Sequence, residues 1–324
     1  MRVRGILKIA TPVLTGGGAM LLAGWVGWAT PPTIWEVATG WNEIAAADRP
    51  AAGALEDLDW GNAGAPRIDW LGHSGFRIRW NGTTLLIDPN TSDRCTISRR
   101  LLEPTVEVAD LDPIDAVLVS HAHYDHLDMP TLEHIPRPGS VVLPAGSETY
   151  FFDPRWSDVR LVPLRAGERS QIGNLEIVAV RAAHNGNRFH PLKSRQGALG
   201  YVVRGAGAAI YYSGDTGFDI DFERIRDEYR PLLAILPIGA YAPRFPMKYY
   251  HLTPEEAVQA AASLGVQAVI PCHFGTFVLA LDRPSSALPR FARAARRRHV
   301  RWIMPQLLRE SEMPRADFAA NGKR

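Results

Sequence analysis

Three histidines and two aspartates fall within the nine residues Ser120–Asp128, SHAHYDHLD, directly after the apolar run AVLV. Imidazole and carboxylate groups at this density suit a metal centre, and the chemistry that follows is metal-assisted hydrolysis. On a helix, His121 and His123 would project about 200° apart and could not share an ion. At the end of a strand running into a loop both can converge, and AVLV supplies the strand. Asp125 and His126 form a second cluster on the same loop, which predicts two ions rather than one.

Further ligands are expected at other strand ends. His184 closes LEIVAVRAAH, Asp215 closes AAIYYSGD between Gly214 and Gly217, and His273 closes QAVIPCH. Loops of this kind gather along one sheet edge in α/β proteins. The resulting assignment places His121, His123 and His184 on one ion and Asp125, His126 and His273 on the other, with Asp215 as the bridge. Neutral imidazole favours zinc, and three protein ligands per ion leave room for a shared water. Two Zn²⁺ per chain are expected, with Asp125 and Asp215 as the catalytic carboxylates. The chain has only two cysteines, Cys95 and Cys272, so neither a disulfide framework nor a cysteine-rich zinc finger is available.

The elements that must position these residues are legible in outline. Short strands are predicted in RIDWLGHSGFRIRWNGTTLLIDP, with Asn81-Gly82 as a hairpin turn, and then at 116–120, 140–144, 160–164 and 175–184. ALGYVVRG and AAIYYSGD form a second hairpin; LLAILPIGA and QAVIPCH close the series. Helices are predicted at FERIRDEYRPL, at TPEEAVQAAASLG and at SALPRFARAARRR. In the second of these Thr253 is the N-cap, Pro254 sits at N1, Glu256 completes a capping box and Gly265 is the stop. The pattern is that of a layered α/β protein, more readily one domain than two.

Over 324 residues the formal net charge is +2, too balanced to argue for nucleic acid as a partner. The N-terminus is different. Arg2, Arg4 and Lys8 precede the uncharged run 9–29, which reads as a signal peptide or membrane anchor with the catalytic body on the outer, periplasmic side. Residues 30–65, rich in Pro, Ala and Gly, read as a linker or wrapping arm, and 66–324 as the catalytic domain.

SHAHYDHLD resembles the signature of the metallo-β-lactamase-fold hydrolases, and His184, Asp215 and His273 follow in that superfamily's order. The resemblance covers roughly residues 67–305 and implies an αβ/βα four-layer sandwich with a dinuclear site at one edge. It also implies that Asp88, at the end of TLLIDP, supports a ligand from behind. SGDTG, LPIGAYAPRFPMKYYHLTPEEAV and HFGTF are together similar to N-acyl-phosphatidylethanolamine-hydrolysing phospholipase D and its bacterial relatives, while WLGHSGF is also seen in lactonase-like members. The reaction so implied is phosphodiester hydrolysis by a metal-bridging hydroxide, on a phospholipid at a membrane surface. Arg244 and Lys248 are candidates for holding the phosphate, against a reading as solvated loop charges. Tyr241, Phe245, Tyr249 and Tyr250 make the same loop amphipathic, and His251 is expected to hold it beside the substrate. A zinc lactonase or other small-metabolite hydrolase is the alternative, a nuclease of the same fold the more distant one. A homodimer stays open.

Overall fold

The computed structural model describes residues 55–102, 108–188 and 197–304. The basic start, the apolar run 9–29 and His190 lie outside the described residues. Among the described residues, no helix is long and apolar enough to cross a membrane.

Two six-stranded sheets face each other. The first orders β1 (Arg67–Gly72), β2 (Gly75–Trp80), β3 (Thr83–Ile87), β4 (Ala116–Leu118), β5 (Ser140–Pro144) and β6 (Arg160–Leu164) side by side. Its first three strands are antiparallel hairpins, and the rest run parallel. The second sheet consists of β7 (Arg169–Ile172), β8 (Leu175–Asn185), β9 (Gly197–Gly205), β10 (Ala208–Tyr212), β11 (Leu233–Pro237) and β12 (Ala268–Cys272), again antiparallel first and parallel last. Strand β7 is an addition to the expected series; RSQI is too polar and short to announce itself.

Side chains alternate across the pleat and so sort into layers. Leu85, Ile87, Ala116 and Leu118 of the first sheet enter the core shared with the second sheet. Leu86, Val117 and Val119 point the other way, into a smaller cluster with Leu127 and Leu132. The outer layer over the second sheet is α2 (Phe222–Tyr229), α3 (Pro254–Leu264) and α4 (Ala287–Arg298); α1 (Met129–His134) lies on the first sheet's outer side. This is the αβ/βα sandwich.

The α3 cap forms as its sequence predicts. Glu256 N donates to Thr253 Oγ1 at 3.1 Å, and Thr253 N donates back to Glu256 Oε2 at 2.8 Å. Two 3₁₀ turns at Leu55–Asp57 and Gly61–Ala63 bring the end of the 30–65 segment onto the body. Leu58 and Trp60 are buried in the main core, with Trp60 edge-on to Trp80 at 5.5 Å. The described part of that segment is therefore packed structure rather than free linker.

Candidate metal centre

Six strand ends on one side of the sandwich carry the site. His73 follows β1, Asp88 follows β3, the 120–128 loop follows β4, His184 lies at the end of β8, Asp215 follows β10 and His273 follows β12. The chain turns sharply at several of them: His73, Asp88 and His273 all have positive φ (53°, 40° and 57°). Such a conformation costs of order 1–3 kcal/mol per residue and persists only where the surroundings hold it. Backbone bonds do so here. His273 N donates to His73 O at 3.0 Å, tying the two sheets together, and His73 N donates to Thr276 Oγ1 at 2.8 Å.

One corner is made of histidines alone. His121 Nε2 and His184 Nε2 lie 3.0 and 3.1 Å from His123 Nδ1. Burial holds the rings neutral at ordinary pH, with His123 lowered to about 4, His184 to about 3, and His121 well below its usual value. The outer nitrogens have partners: His184 Nδ1 donates to Tyr250 O at 2.9 Å, and His121 Nδ1 lies 2.9 Å from Ser120 Oγ. These partners leave Nε2 of each ring as a lone pair aimed inward.

The second corner mixes charge types. Asp125 Oδ2 lies 3.0 Å from His73 Nε2, 3.3 Å from His273 Nε2 and 3.5 Å from His126 Nε2. Burial pushes the Asp125 carboxyl up, but the His126 charge and hydrogen bonds from His273 and His73 outweigh it and hold Asp125 well below the carboxylate range. Asp215 is depressed in the same way: burial opposes, while the charges of His273 and His126 prevail. The partners respond in the opposite sense. Burial lowers His273, yet Asp215 and Asp125 lift it to about 9; His126 is likewise raised, against burial, by Asp215, Asp125 and Asp88.

Asp215 joins the corners. Its Oδ2 is 3.3 Å from His126 Nε2 and 3.0 Å from His273 Nε2, and it also groups with His121 on one side and with His184 and His251 on the other. Asp88 sits behind His126, accepting from His126 Nδ1 at 2.7 Å, Tyr212 OH at 2.6 Å and Ser120 N at 2.7 Å. All seven residues expected as ligands are thus brought together, with Asp88 at their back.

The arrangement fits divalent cations on its own terms. Buried Asp125 Oδ1, Asp215 Oδ1 and His126 Nε2 have no hydrogen-bond partner among the described residues. Such groups are rare in folded proteins unless something else satisfies them. The three converging imidazoles of the first corner are neutral, so they offer lone pairs rather than protons to one another. Thiolates contribute nothing: Cys272 is buried and its pKa is pushed well above normal by burial and by Asp215.

Two further residues belong to the site. From the sequence His73, in WLGHSGF, is open to lining the site but fits a structural role better; its strand-end position, shared with the ligands, is the signal that favours the site, and its Nε2 lies 3.0 Å from Asp125 Oδ2. Arg188 clamps the ligand loop, donating to Ala122 O at 2.7 Å and to Leu127 O, with its guanidinium 4.1 Å from the centroid of the Tyr124 ring.

The substrate-binding candidates need correction. Both Glu256 oxygens accept from Arg244 at 2.6 Å, and His251 O accepts from it at 2.8 Å. Its fork is committed to the chain, and it positions His251 rather than standing open to a phosphate. Tyr241 is buried, its hydroxyl 2.7 Å from Ser286 Oγ and its ring under Arg290. His251 lies at the site itself: its Nδ1 is 3.7 Å from Asp215 Oδ2, and burial lowers it to about 3. Lys248 lies over the rings of Tyr249 and Phe245, which are 52% and 72% exposed.

Fold and site together define a metallo-hydrolase of the αβ/βα sandwich class. The model of the β-lactamase superfamily domain matches residues 83–274. An uncharacterized protein of Mycobacterium tuberculosis is 34% identical over 82% of this chain and 75% of its own length. N-acyl-phosphatidylethanolamine-hydrolyzing phospholipase D 1 of Caenorhabditis elegans is 30% identical over 64% of this chain and 63% of its own. A metal-dependent hydrolase of Methanopyrus kandleri is 32% identical over 65% of this chain and 85% of its own. Among solved structures, the metallo hydrolase Igni18 of Ignicoccus hospitalis superposes with a TM-score of 0.57 at 19% identity, covering 75% of this chain and 95% of that one. The chain belongs to the β-lactamase superfamily, as a metal-dependent hydrolase of the metallo-β-lactamase fold.

Proposed function

We propose that this protein is a dinuclear zinc phosphodiesterase of phospholipase D type, acting on N-acyl phosphatidylethanolamine-like lipids. The observation that carries the reading is the pair of ligand corners joined by Asp215, together with the kinship to the nematode phospholipase. His121, His123 and His184 would hold one ion, Asp125, His126 and His273 the other, and Asp215 both. Bound there, zinc supplies Lewis acidity and brings the pKa of water toward ~7. The chain's own part is to present neutral imidazoles, to keep Asp125 and Asp215 ionised, and to seat the attacked group between the corners. Asp125 and Asp215 each keep one buried oxygen free to take a ligand or a proton.

The exposed Phe245 and Tyr249, with Lys248 between them, suit an acyl chain and an anionic head group at a membrane surface. Export by residues 1–29 would place this body outside the cytoplasmic membrane. A reporter active only after export, fused at residue 60, tests that: signal supports it, and cytoplasmic activity of the full-length fusion refutes it.

One observation favours a second reading. With the Arg244 fork bound to Glu256, Lys248 alone remains of the expected phosphate clamp, which suits a hydrolase of lactones or small esters equally well. Cleavage of N-acyl phosphatidylethanolamine in heavy-oxygen water separates the two. The phosphodiesterase reading expects label in the phosphatidic acid and none in the N-acylethanolamine. Label in a carboxylate, or turnover of lactones and simple esters only, establishes the second.

A further inference from the structure

The outer nitrogens of His121, His126 and His184 each face a protein partner: Ser120 Oγ, Asp88 Oδ2 and Tyr250 O. His273 differs from these three. Its Nδ1 is buried and has no partner among the described residues, and the same is true of His73 Nδ1. Both side chains are at least nine-tenths buried, and their ring centroids stand 4.1 Å apart. In both rings Nε2 is turned to Asp125 Oδ2, at 3.0 Å for His73 and 3.3 Å for His273.

A small cavity, about 10 Å³, is lined by both residues. That is room for about one water molecule. Its wall is otherwise apolar or backbone, from Phe274, Phe277, Leu279 and Ala287, with one exception: Asp282. Asp282 Oδ2 accepts from Ala240 N and Oδ1 from Ala242 N, both at 3.2 Å. Each carboxylate oxygen has a second lone pair, so acceptor capacity remains. Burial pushes the Asp282 carboxyl up, while its backbone hydrogen bonds and the neighbouring His273 pull against that.

We propose that one ordered water in this cavity links the Asp282 carboxylate to His273 and His73 and thereby sets the tautomer of both rings. The proposal rests on the reading of Asp125 and His273 as metal ligands. Its hydrogen count closes without remainder. His273 must present the Nε2 lone pair to a metal, so its proton is on Nδ1 and is donated to the water. His73 must donate from Nε2 to Asp125, so its Nδ1 is a lone pair that accepts from the water. The water's second hydrogen goes to Asp282. Three polar partners are what a buried water requires, and an outer carboxylate of this kind orients a ligating histidine. Asp282 and His73 are then positioning residues, and the same aspartate fastens the Ala240–Ala242 loop.

The test uses the full zinc-loaded chain. Atomic-resolution diffraction is expected to show a water within hydrogen-bonding distance of His273 Nδ1, His73 Nδ1 and Asp282. Long-range proton–nitrogen spectra should report His273 protonated at Nδ1 and His73 at Nε2. Zinc titrations then compare Asp282→Asn with Ala287→Val, which narrows the cavity and leaves the carboxylate in place. Each should weaken zinc about 10- to 100-fold at the Asp125/His126/His273 corner and leave the three-histidine corner unchanged. A dry cavity, a water touching backbone only, the opposite tautomers, or wild-type affinity in both variants overturns the relay. If the wild-type chain takes no zinc at this corner, the metal reading fails, and the cavity density alone decides the relay.

Discussion

The two corners of the metal centre are built on the same side of the same sandwich, and burial weighs first on the ionisation of both. They nevertheless sit at opposite ends of histidine chemistry. In the first corner burial is joined by the repulsion of neighbouring imidazoles, the pull of Asp125 and Asp215 falls short of offsetting it, and the rings stay neutral down to about pH 4. In the second, Asp125 and Asp215 lie within 3.5 Å of His126 and His273 and lift them, His273 to about 9. The difference lies in the neighbours, not in the depth. It makes one corner a set of ready lone pairs and the other a set of ion pairs whose protons a metal must displace.

Removing the residue common to both corners should have the largest effect. Under the dinuclear zinc reading, Asp215→Ala is expected to lower zinc content from about two per chain to below one and to cut hydrolysis by about a thousandfold or more, given the several kcal/mol that such ions contribute. His184→Ala should leave the second corner loaded. Metal analysis of the purified variants checks this, and equal losses in the two variants would dissolve the distinction between the corners.

Acid should separate the corners next. For His273, whose folded pKa is raised, a metal competes with a proton at every pH below about 9. Affinity at that corner should therefore fall about tenfold per pH unit per displaced proton. His123 and His184 carry no competing proton until the pH approaches about 4 or 3, so the first corner should hold its metal through the same range. Zinc titrations between pH 5 and 9, a range chosen around those values, should resolve one pH-dependent and one pH-independent step. Two parallel slopes would refute the contrast.

A smaller effect sharpens it. Asp88→Asn keeps the shape of the carboxylate behind His126 but removes its charge, and zinc should bind the second corner about 10- to 100-fold more weakly, with a smaller loss at the first, which Asp88 reaches only through Ser120. Smallest of all is the rim. Phe245→Ala and Tyr249→Ala remove exposed rings and should shift stability by no more than about 0.5 kcal/mol in denaturant melts. Under the phospholipase reading they should still slow turnover of vesicle-borne lipid more than of a short-chain soluble analogue. Equal slowing of both substrates would remove the rim from lipid binding.

Legibility in the sequence followed locality. The α3 cap is written in adjacent residues, Thr253 to Glu256, and the hairpin turn in Asn81-Gly82; both form as read. The seven ligand candidates were legible because four lie on the dense loop that follows one apolar run and the other three each close a run of their own, and strand ends are where an α/β sheet exposes polar groups. Arg244 was misread for the complementary reason. A guanidinium in a polar loop looks open to an anion, and only the approach of Glu256 on α3 shows that its fork is already filled. Tyr241 shows the same on the apolar side, since nothing in its neighbourhood announces Ser286 or Arg290.

The sequence by itself determined the class of protein: period-two apolar runs closed by histidine and aspartate, capped helices, and a ligand loop too dense in imidazole for any structural purpose. Those features depend on side-chain type and on spacings of a few residues, which the linear order carries in full. Only the tertiary structure decided which groups share a corner, and so which histidines are neutral and which are charged. His73 and His273 are 200 residues apart by their numbers, yet His273 N donates to His73 O at 3.0 Å and both rings reach Asp125. Ionisation in a buried site depends on charges within a few ångströms, and that proximity is created by packing one sheet against the other, not by order along the chain.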